Sequence, residues 1–379
     1  MRTFLMLLLC SHLIACGGGD GPYTFQSRLD EAIPRTLAET NIPGVIVGVW
    51  QGRDPVYLRA FGVKDVQTRE PMTTDLYMRI GSNTKAFVVT GILQLVDQGL
   101  LSLDDPISKF VPNVPNGDNV KIRHLAQMRS GLASYSDGDK ILPLWYDDIY
   151  RQFSTQELLD GSFNQKKPIL FEPGAKYDYS NTNTVLLGIV LEQLSKQSLR
   201  DYIHDRIAVP LGLKHVEYPT ANGGGPIPPP FAHGYATIKG ARTDMASANF
   251  SWGNAAGCMV AAVEDLGIWV RDLARGTLLK PATQAERLTF LDALPEHDGY
   301  GLGIELNNGW LGHGGNIFSH VSYPHYLPSQ DLTMVVLFNS GENIYESVRV
   351  VQEITRIIAP NNVWPDLPTP EQDEDVEDI

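Results

Sequence analysis

Apolar residues form strand-like runs near both ends of the chain. Residues 45–50 and 55–63 are rich in β-forming side chains, and the turn Gly52-Arg53-Asp54 between them predicts a hairpin. The other elements predicted near the ends are strands at 300–306, 318–326 and 332–338 and helices at 25–40, 262–275 and 344–358. Together they predict one mixed sheet domain with flanking helices, formed by residues 25–100 and 241–358.

The middle of the chain has a different texture. In residues 101–240, helical segments such as 155–159 and 183–194 are separated by loops rich in proline and glycine, without the alternation of a half-buried strand. The stretch 223–230, Gly-Gly-Gly-Pro-Ile-Pro-Pro-Pro, predicts an irregular connection. We therefore expect an α/β (α+β) fold in which 101–240 is a mainly helical insertion domain.

One helix is apolar on almost every face. Residues 86–96 are nearly all apolar, and Gly99 suits the left-handed residue that ends a helix. Such a helix is predicted to lie inside a domain. At its amino end Ser82 and Lys85 are spaced so that their side chains share one face, near the unpaired N–H groups of the first turn.

Ser82 and Lys85 have the chemistry of a nucleophile and its base. A serine hydroxyl is a weak nucleophile until a base takes its proton, and a lysine with an ordinary pKa of about 10.4 becomes a base near neutrality only when its surroundings lower that pKa. Burial beside the apolar helix supplies such surroundings. Taken alone, the pair equally suits a helix cap and a solvated lysine.

A second candidate pair is Tyr179 and Asn181. Residues two apart in an extended segment point the same way, so the phenol and the amide are expected to face one cleft. The phenol can relay a proton and the amide can orient a substrate. The alternative is that Tyr179 packs in the core and Asn181 caps the following helix.

A third candidate is the stretch His313-Gly314-Gly315-Asn316, which directly precedes a predicted strand. Glycines allow a backbone to approach a ligand closely, and a backbone N–H at such an edge can complete an oxyanion hole with that of Ser82. By itself, a histidine flanked by glycines is usually a turn.

Charge and composition exclude several functions. The formal net charge is −14 and basic residues form no run, which argues against a nucleic-acid partner. His320 and His325 fall on opposite faces of a predicted strand, and no metal-binding motif is present, so we predict neither a metal nor a cofactor. Residues 359–379 are proline-rich and then acidic, which predicts a disordered tail.

The first residues have the pattern of an export signal. Residues 1–15 combine Arg2 with a short apolar run, which predicts a signal peptide. The stretch Leu13-Ile14-Ala15-Cys16 resembles a bacterial lipobox, in which the cysteine becomes the lipid-modified first residue; residues 16–24 would then be a glycine-rich tether. We expect a periplasmic or cell-envelope protein anchored to a membrane through Cys16, an ordinary cleaved signal being the alternative. Cys258 is expected to be a buried structural thiol.

Taken together, these motifs resemble those of the penicillin-recognising serine hydrolases. The likeness is to the branch with class C β-lactamases, D-aminopeptidases, β-lactamase-like esterases and the secreted Streptomyces D-Ala-D-Ala carboxypeptidase, the last being the most similar. The similar segments are Ser82-Asn83-Thr84-Lys85, Gln94–Gly99, Arg129–Leu132, Phe171–Gly174, Tyr179-Ser180-Asn181 and His313-Gly314-Gly315. Their order along the chain is that of the family.

The resemblance implies a β-lactamase/transpeptidase-like fold, with an antiparallel sheet flanked by helices, a mainly helical domain and the active site in the cleft between them. It implies that Ser82 is acylated while Lys85 and Tyr179 share the proton transfers. It further implies that Asn181 contacts the substrate amide and that His313 stands at the position of the third motif's cation or donor. The N–H groups of Ser82 and Asn316 would hold the oxyanion.

One departure from the family pattern concerns Gly314. Relatives that bind a free substrate carboxylate carry a hydroxyl residue at this position. The leading hypothesis is an acyl-enzyme hydrolase of the D-alanyl-D-alanine carboxypeptidase kind, acting on acyl-D-Ala-D-Ala. The alternatives are an esterase, a D-aminopeptidase or a β-lactamase, with an ester, a peptide or a β-lactam as substrate. A non-catalytic lipoprotein that binds cell-wall peptide is the alternative of another class, and it would need neither Lys85 nor Tyr179 beside Ser82.

Overall fold

The computed structural model describes residues 24–220, 223–291 and 298–367. The predicted signal peptide and Cys16 lie outside these residues. The α-helices are α1 (Phe25–Ala38), α2 (Asn83–Asp97), α3 (Ile122–Ala126), α4 (Ile141–Asp147), α5 (Thr155–Phe163), α6 (Asn181–Ser195), α7 (Leu199–Ile203), α8 (Val209–Leu211), α9 (Asn254–Gly257), α10 (Val263–Arg275), α11 (Pro281–Arg287) and α12 (Ile344–Ile358). None of the described helices is both long enough and apolar enough to cross a membrane.

Most of the strands belong to one antiparallel sheet. The strands are β1 (Gly44–Gln51), β2 (Asp54–Gly62), β3 (Met78–Arg79), β4 (Val216–Glu217), β5 (Tyr235–Ile238), β6 (Ala241–Asp244), β7 (Val260–Ala261), β8 (Gly299–Tyr300), β9 (Glu305–Asn307), β10 (Trp310–Gly312), β11 (Gly315–Asn316), β12 (Val321–Leu327) and β13 (Leu332–Phe338). The main sheet has the order β2-β1-β13-β12-β10-β9-β8, and β11 also pairs with β12. Val47 of β1 lies opposite both Arg59 of β2 and Val336 of β13, so both ends of the chain form one sheet, as predicted.

The two faces of this sheet bury alternate residues of the same strand. Val45, Val47 and Val49 pack with α1 and α12, whereas Ile46 and Trp50 belong to the core on the opposite face. Because side chains alternate across a strand, a strand covered on both faces is apolar throughout. This explains the continuous apolar runs in the sequence.

Helix α2 runs through the centre of the larger core. Its apolar residues are buried all around the helix, and the ring of Phe87 stacks on that of Trp269 with centroids 3.8 Å apart. A Cβ at Gly91 would lie 2.7 Å from a methyl carbon of Leu191, so glycine allows α6 to pack closely against α2. Helix α2 therefore joins the sheet to the helical part of the chain, with its amino end between them.

The predicted boundary between the helical insertion and the sheet domain needs a correction. The boundary predicted between residues 240 and 241 falls inside the β5–β6 hairpin, whose turn residues Lys239 and Gly240 have positive φ. In addition, β4 pairs with β7, which also pairs with β3. Backbone hydrogen bonds therefore tie the end of the predicted insertion to segments of the predicted sheet domain.

The prediction of a single strand over residues 300–306 is wrong. This segment is a tight hairpin in which Tyr300 of β8 lies opposite Glu305 of β9. Gly303 has a φ of +66°, and a Cβ there would lie 2.7 Å from the Cβ of Val89. The two glycines that flank Leu302 mark the turn, and the reversal brings Tyr300 and Glu305 together beside the third motif.

The start of the predicted disordered tail is also corrected. Trp364 is 6% exposed and belongs to the core beneath α1 and α12. The indole N–H of Trp310 donates to the carbonyl of Asn362 at 2.7 Å. Residues 359–367 therefore pack against the sheet, and the rest of the predicted tail lies outside the described residues.

Candidate active site

Gly81 forms the turn that brings Ser82 to the amino end of α2. Its φ is +53°, and a Cβ there would lie 2.9 Å from the backbone nitrogen of Asn316. Glycine adopts this left-handed conformation without steric cost. The Gly81 carbonyl accepts two hydrogen bonds from Thr84, one from its backbone N–H at 3.0 Å and one from its hydroxyl at 2.8 Å. The local sequence thus allows the first turn of α2 to lie directly against β11.

Lys85 is fully buried and touches the Ser82 hydroxyl. Its Nζ is 2.9 Å from Ser82 Oγ and 2.8 Å from the carbonyl oxygen of Ala256. Burial lowers the pKa of Lys85 to about 7, while the charges of Glu305 and Asp137 partly oppose this shift. A large fraction of Lys85 is therefore a neutral amine near pH 7, as a general base for Ser82 must be.

Tyr179 reaches the same hydroxyl from α6's side of the cleft. Its phenol hydrogen-bonds with Ser82, and Lys85 Nζ lies 4.7 Å from the centre of its ring. Burial raises the pKa of Tyr179 well above its ordinary value, and the hydrogen bond to Ser82 only partly offsets this. Tyr179 is thus a protonated phenol at neutral pH and is suited to passing a proton on.

Asn181 is the first residue of α6 and lies beside Ser82 on one cavity wall. Its side-chain N–H donates to Ser136 Oγ at 2.8 Å, and its backbone N–H donates to Ser134 Oγ at 3.2 Å. These bonds hold the amide in place. Asn181 is therefore fixed beside the nucleophile. Its side chain bonds to Ser136 and does not form the cap of α6 that the alternative prediction required.

The backbone N–H of Asn316 faces away from β12, on the side where Gly81 lies. Ile317 N–H donates to the His320 carbonyl at 3.1 Å, so the N–H of Ile317 faces β12. N–H directions alternate along an extended strand, so the N–H of Asn316, opposite Val321, faces away from β12. On that side lies Gly81, as its close approach to the Asn316 nitrogen shows. The N–H of Asn316 therefore lies on the side of the first turn of α2, as the predicted oxyanion hole requires.

Asn83 links the first turn of α2 to strand β12. Its side-chain N–H donates to Ser322 Oγ at 2.8 Å, and the Ser322 hydroxyl donates to the Ile80 carbonyl at 2.8 Å. Asn83 and Ser322 are 239 residues apart in sequence and both are buried. This pair joins α2 to β12, and the sequence analysis gave it no role although Asn83 lies inside the first motif.

His313 lies between β10 and β11, with only 1% of its surface exposed. Its Nδ1 is 2.6 Å from the Gly314 carbonyl, which requires an N–H at that nitrogen, and its Nε2 is 2.9 Å from the Tyr300 hydroxyl. Burial lowers the pKa of His313, so the ring is neutral near pH 7 and Nε2 accepts from Tyr300. Both nitrogens are thus engaged by protein groups, which makes His313 a support for the third motif.

Glu305 places a carboxylate in the third motif. Its Oε2 accepts the Gly314 N–H at 2.8 Å, and its Oε1 lies 3.2 Å from His313 Nδ1. A Cβ at Gly314 would meet only this carboxylate, at 3.6 Å, whereas a Cβ at Gly315 would lie 2.0 Å from the Ile80 carbonyl oxygen. Position 314 can therefore accept a side chain and position 315 cannot.

Two cavities meet at Ser82. One, of about 270 Å³, we name the Asn181 cavity; its wall includes Asn181, Asp137, Leu142, Trp252 and Phe318. The other, of about 240 Å³, we name the Glu305 cavity; its wall includes Tyr179, Glu305, His313, Gly314, Trp364 and Leu367. Asn316 lines both. A substrate carbonyl held at Ser82 therefore has room on each side, one for its acyl part and one for its leaving group.

The structure brings Ser82, Lys85, Tyr179, Asn181 and Asn316 into one cleft. Glu305, Asp137 and the Ala256 carbonyl also belong to the site, and none of them was predicted from the sequence. Glu305 lies next to Leu306 in the misread hairpin, and a backbone carbonyl leaves no mark in a sequence. Asp137 follows a serine-rich stretch that resembles any polar loop.

Cys258 has no part in this cleft. It is fully buried, and burial raises the pKa of its thiol. A protonated, inaccessible thiol is a poor nucleophile. The prediction of a structural cysteine is confirmed by its position.

A serine hydrogen-bonded to a buried lysine, with an antiparallel sheet behind it, is typical of a serine hydrolase. Comparison with known families agrees, because the Beta-lactamase family matches residues 29–349. The chain belongs to the Beta-lactamase family, which confirms the predicted resemblance and fold class.

Three relatives illustrate this membership. Protein flp of Staphylococcus aureus strain MW2 is 27% identical over 328 residues, covering 83% of this chain and 63% of flp, so the chain spans less than two thirds of that relative. A D-stereospecific amidohydrolase from Streptomyces sp. is 27% identical, with a TM-score of 0.75 over 88% of this chain and 99% of that one. The D-amino acid amidase from Ochrobactrum anthropi SV3 is 27% identical, with a TM-score of 0.74 over 89% and 100% of the two chains.

Proposed function

We propose that the protein is a serine amidohydrolase that forms an acyl-enzyme at Ser82 and releases a leaving group without a free carboxylate. The observation that carries this proposal is the position of Glu305. Its carboxylate lies at the third motif, where relatives that bind a substrate carboxylate have a hydroxyl residue in place of Gly314. The leaving group expected in the Glu305 cavity is therefore a neutral amide or ester.

Charge repulsion supports this choice. Two like charges about 4 Å apart repel by about 4 kcal/mol at the effective dielectric constant typical of a protein surface. The neutral His313 ring supplies no cation that would offset a substrate carboxylate. A neutral amide group meets no such penalty, and its N–H groups can donate to Glu305.

The residues of the cleft account for each proton in the reaction. The neutral amine of Lys85 takes the proton of Ser82 as the serine oxygen bonds to the substrate carbonyl carbon, and the N–H groups of Ser82 and Asn316 hold the resulting oxyanion. As the bond to the leaving nitrogen breaks, that nitrogen receives a proton from the phenol of Tyr179, which regains one from Lys85. Water then attacks the acyl-enzyme, its proton follows the reverse path, and the acid is released.

The relatives favour the same reaction class. Two similar structures are those of a D-stereospecific amidohydrolase and a D-amino acid amidase. We extend their chemistry to this chain as amide hydrolysis next to a D-configured acyl centre. An esterase of the same site is the nearest alternative, because an ester presents the same neutral leaving group.

A D-alanyl-D-alanine carboxypeptidase remains the second candidate. The complete set of Ser82, Lys85, Tyr179 and Asn181 favours it, as the sequence analysis proposed. Glu305 argues against it because the terminal carboxylate would enter the Glu305 cavity. The same set of residues disfavours a protein that only binds cell-wall peptide.

Three substrates with one acyl part test the proposal. D-phenylalaninamide, D-Phe-D-Ala-amide and D-Phe-D-Ala are compared by kcat/KM, with a fluorescent penicillin and a p-nitrophenyl ester as acylation probes. We expect the two amides to exceed the free acid by about tenfold or more, given the repulsion described above. Ser82→Ala should abolish turnover and the mass increase caused by the acyl-enzyme. Glu305→Gln should narrow the difference in kcat/KM between the amides and the free acid. A free acid cleaved as fast as its amide would establish the carboxypeptidase instead.

We further propose that the protein is held at a bacterial membrane through a lipid on Cys16. The lipobox-like stretch and the glycine tether support this location. Labelling of growing cells with a fatty-acid probe should mark the wild-type chain and Cys10→Ser but leave Cys16→Ser unlabelled. Release of unlabelled wild-type protein into the soluble fraction would favour an ordinary signal peptide.

A further inference from the structure

The Asn181 cavity contains one acidic group. Its wall combines the apolar side chains of Leu142, Trp252 and Phe318 with the carboxylate of Asp137. Asp137 is exposed, so a molecule in the cavity can reach it. A cavity that places apolar walls beside one charged group recognises an apolar group that carries the opposite charge nearby.

The carboxylate is held in place by a relay of hydroxyl groups. Ser136 Oγ donates to Asp137 Oδ1 at 2.9 Å and accepts the side-chain N–H of Asn181 at 2.8 Å. Ser134 Oγ lies 2.8 Å from Ser136 Oγ and accepts the backbone N–H of Asn181. Since Ser136 has one proton and gives it to Asp137, Ser134 donates to Ser136. Asp137 is thus coupled to the residue that is expected to hold the substrate amide.

The charge of Asp137 is not balanced by a neighbouring cation. Among the described residues, the groups that act on its carboxylate are the hydroxyls of Ser136 and Ser134, the carboxylate of Asp178, and Lys85 from a distance. Lys85 is largely neutral near pH 7. The surrounding cavity walls desolvate the carboxylate and raise the pKa of Asp137, and Asp178 adds to this effect. A bound cation would relieve both costs.

We propose that Asp137 binds the free α-ammonium group of the acyl residue, so that the substrates are amides of amino acids with an unblocked amine and an apolar side chain. This inference rests on the proposed function and names its substrate class. The ammonium group of such a substrate is attached to the carbon next to the reacting carbonyl, and Asp137 and Ser82 line the same cavity. An N-acylated substrate would place a neutral amide against the carboxylate and lose the charge-assisted hydrogen bond.

The test compares D-phenylalaninamide with N-acetyl-D-phenylalaninamide, and D-phenylalanine methyl ester with its N-acetyl form. Wild type should prefer the free amine by about tenfold to a hundredfold in kcat/KM, mostly through KM. Asp137→Asn should remove this preference, because it should weaken the free-amine substrates much more than the N-acetyl substrates. The exposed Asp139→Asn, which changes the net charge equally, should behave as wild type.

Binding provides a readout that does not depend on turnover. Calorimetry with Ser82→Ala should show tighter binding of D-phenylalaninamide than of its N-acetyl form, and Ser82→Ala/Asp137→Asn should bind the two alike. Equal affinities in the Ser82→Ala protein, or a preference that survives Asp137→Asn, would overturn the inference. Selective binding without amide turnover by wild type would instead overturn the proposed function and leave the ammonium site standing.

Discussion

The fully buried amine of Lys85 hydrogen-bonds at 2.9 Å with the hydroxyl of Ser82, which faces the cleft. The carbonyl of Ala256 accepts one N–H of the amine, which leaves the nitrogen lone pair of the neutral form available to accept the Ser82 proton. Burial thus selects the neutral form, and the carbonyl orients it. The pH dependence of acylation should follow from this relationship.

Acylation of Ser82 should increase as the pH rises through about 7, because only the neutral form of Lys85 accepts the serine proton. Lys85→Arg, which stays charged, should slow acylation by about a hundredfold to ten-thousandfold. Stopped-flow measurement of acylation by a p-nitrophenyl ester between pH 5 and 9 checks both the pH dependence and the effect of Lys85→Arg. Lys176→Met, which removes an exposed lysine, is the control and should keep the wild-type midpoint. A rate that is independent of pH over this range would contradict the role of Lys85.

The same lysine should lower stability in a pH-dependent way. Its pKa is about 7 when folded and is at its ordinary value when unfolded, so between these two values the unfolded chain binds more protons and the contribution of Lys85 to stability rises with pH. Below pH 7 the full cost in stability of burying the charged Lys85 is present. Lys85→Met should therefore be more stable than wild type at pH 7, and the difference should shrink by up to about 1.4 kcal/mol for each pH unit toward pH 10. Urea unfolding at several pH values measures this difference in the free energy of unfolding. A difference that does not change with pH would contradict the prediction.

Tyr179→Phe should separate the two proton-transfer roles. The phenol keeps its proton at neutral pH because burial raises its pKa, so it should serve the leaving group and leave the first proton transfer to Lys85. We expect kcat for amides to fall by about a hundredfold, with the midpoint near pH 7 retained in acylation by an activated ester, whose leaving group needs no proton. Loss of that midpoint in Tyr179→Phe would assign the first transfer to the phenol.

Gly314 and Gly315 form a matched pair of neighbouring positions. Gly315→Ala should place its methyl group against the Ile80 carbonyl and Ser322, separate β11 from α2, and abolish acylation at a cost of about 1–3 kcal/mol in stability. Gly314→Ala meets only Glu305 at 3.6 Å and should keep stability and ester turnover close to wild type. Thermal unfolding and acyl-enzyme mass distinguish the two variants. Similar behaviour of both variants would show that the oxyanion hole does not depend on the close packing of Gly315 against Ile80.

The sequence predicted those parts of the site that short motifs carry. Ser82, Lys85, Tyr179 and Asn181 could be located because each pair has a fixed spacing along a helix or an extended segment. The orientation of the His313 ring could not be predicted, because it depends on Tyr300 across a hairpin that was read as a strand. Asp137 was missed for the same kind of reason, since its role comes from the cavity in which it lies.

The fold was predictable to a similar extent. Strands buried on both faces and the apolar helix α2 have strong patterns and were located correctly. Boundaries failed where short elements pair over long distances, as β4 does with β7, and where a turn such as that of the β5–β6 hairpin was taken for a domain limit. The packing of Trp364 follows from tertiary contacts that a proline-rich composition does not reveal.

The pairing of Asn83 with Ser322 across 239 residues has a consequence for the timing of activity during synthesis. A growing chain that has emerged only as far as α6 already contains Ser82, Lys85, Tyr179 and Asn181, yet it lacks Asn316 and the strand that holds it. The nucleophile is therefore made early and stays without its oxyanion hole until nearly the whole sheet has been synthesised. Because the proposed oxyanion hole needs Asn316, we expect hydrolysis to begin only after β11 and β12 have been synthesised.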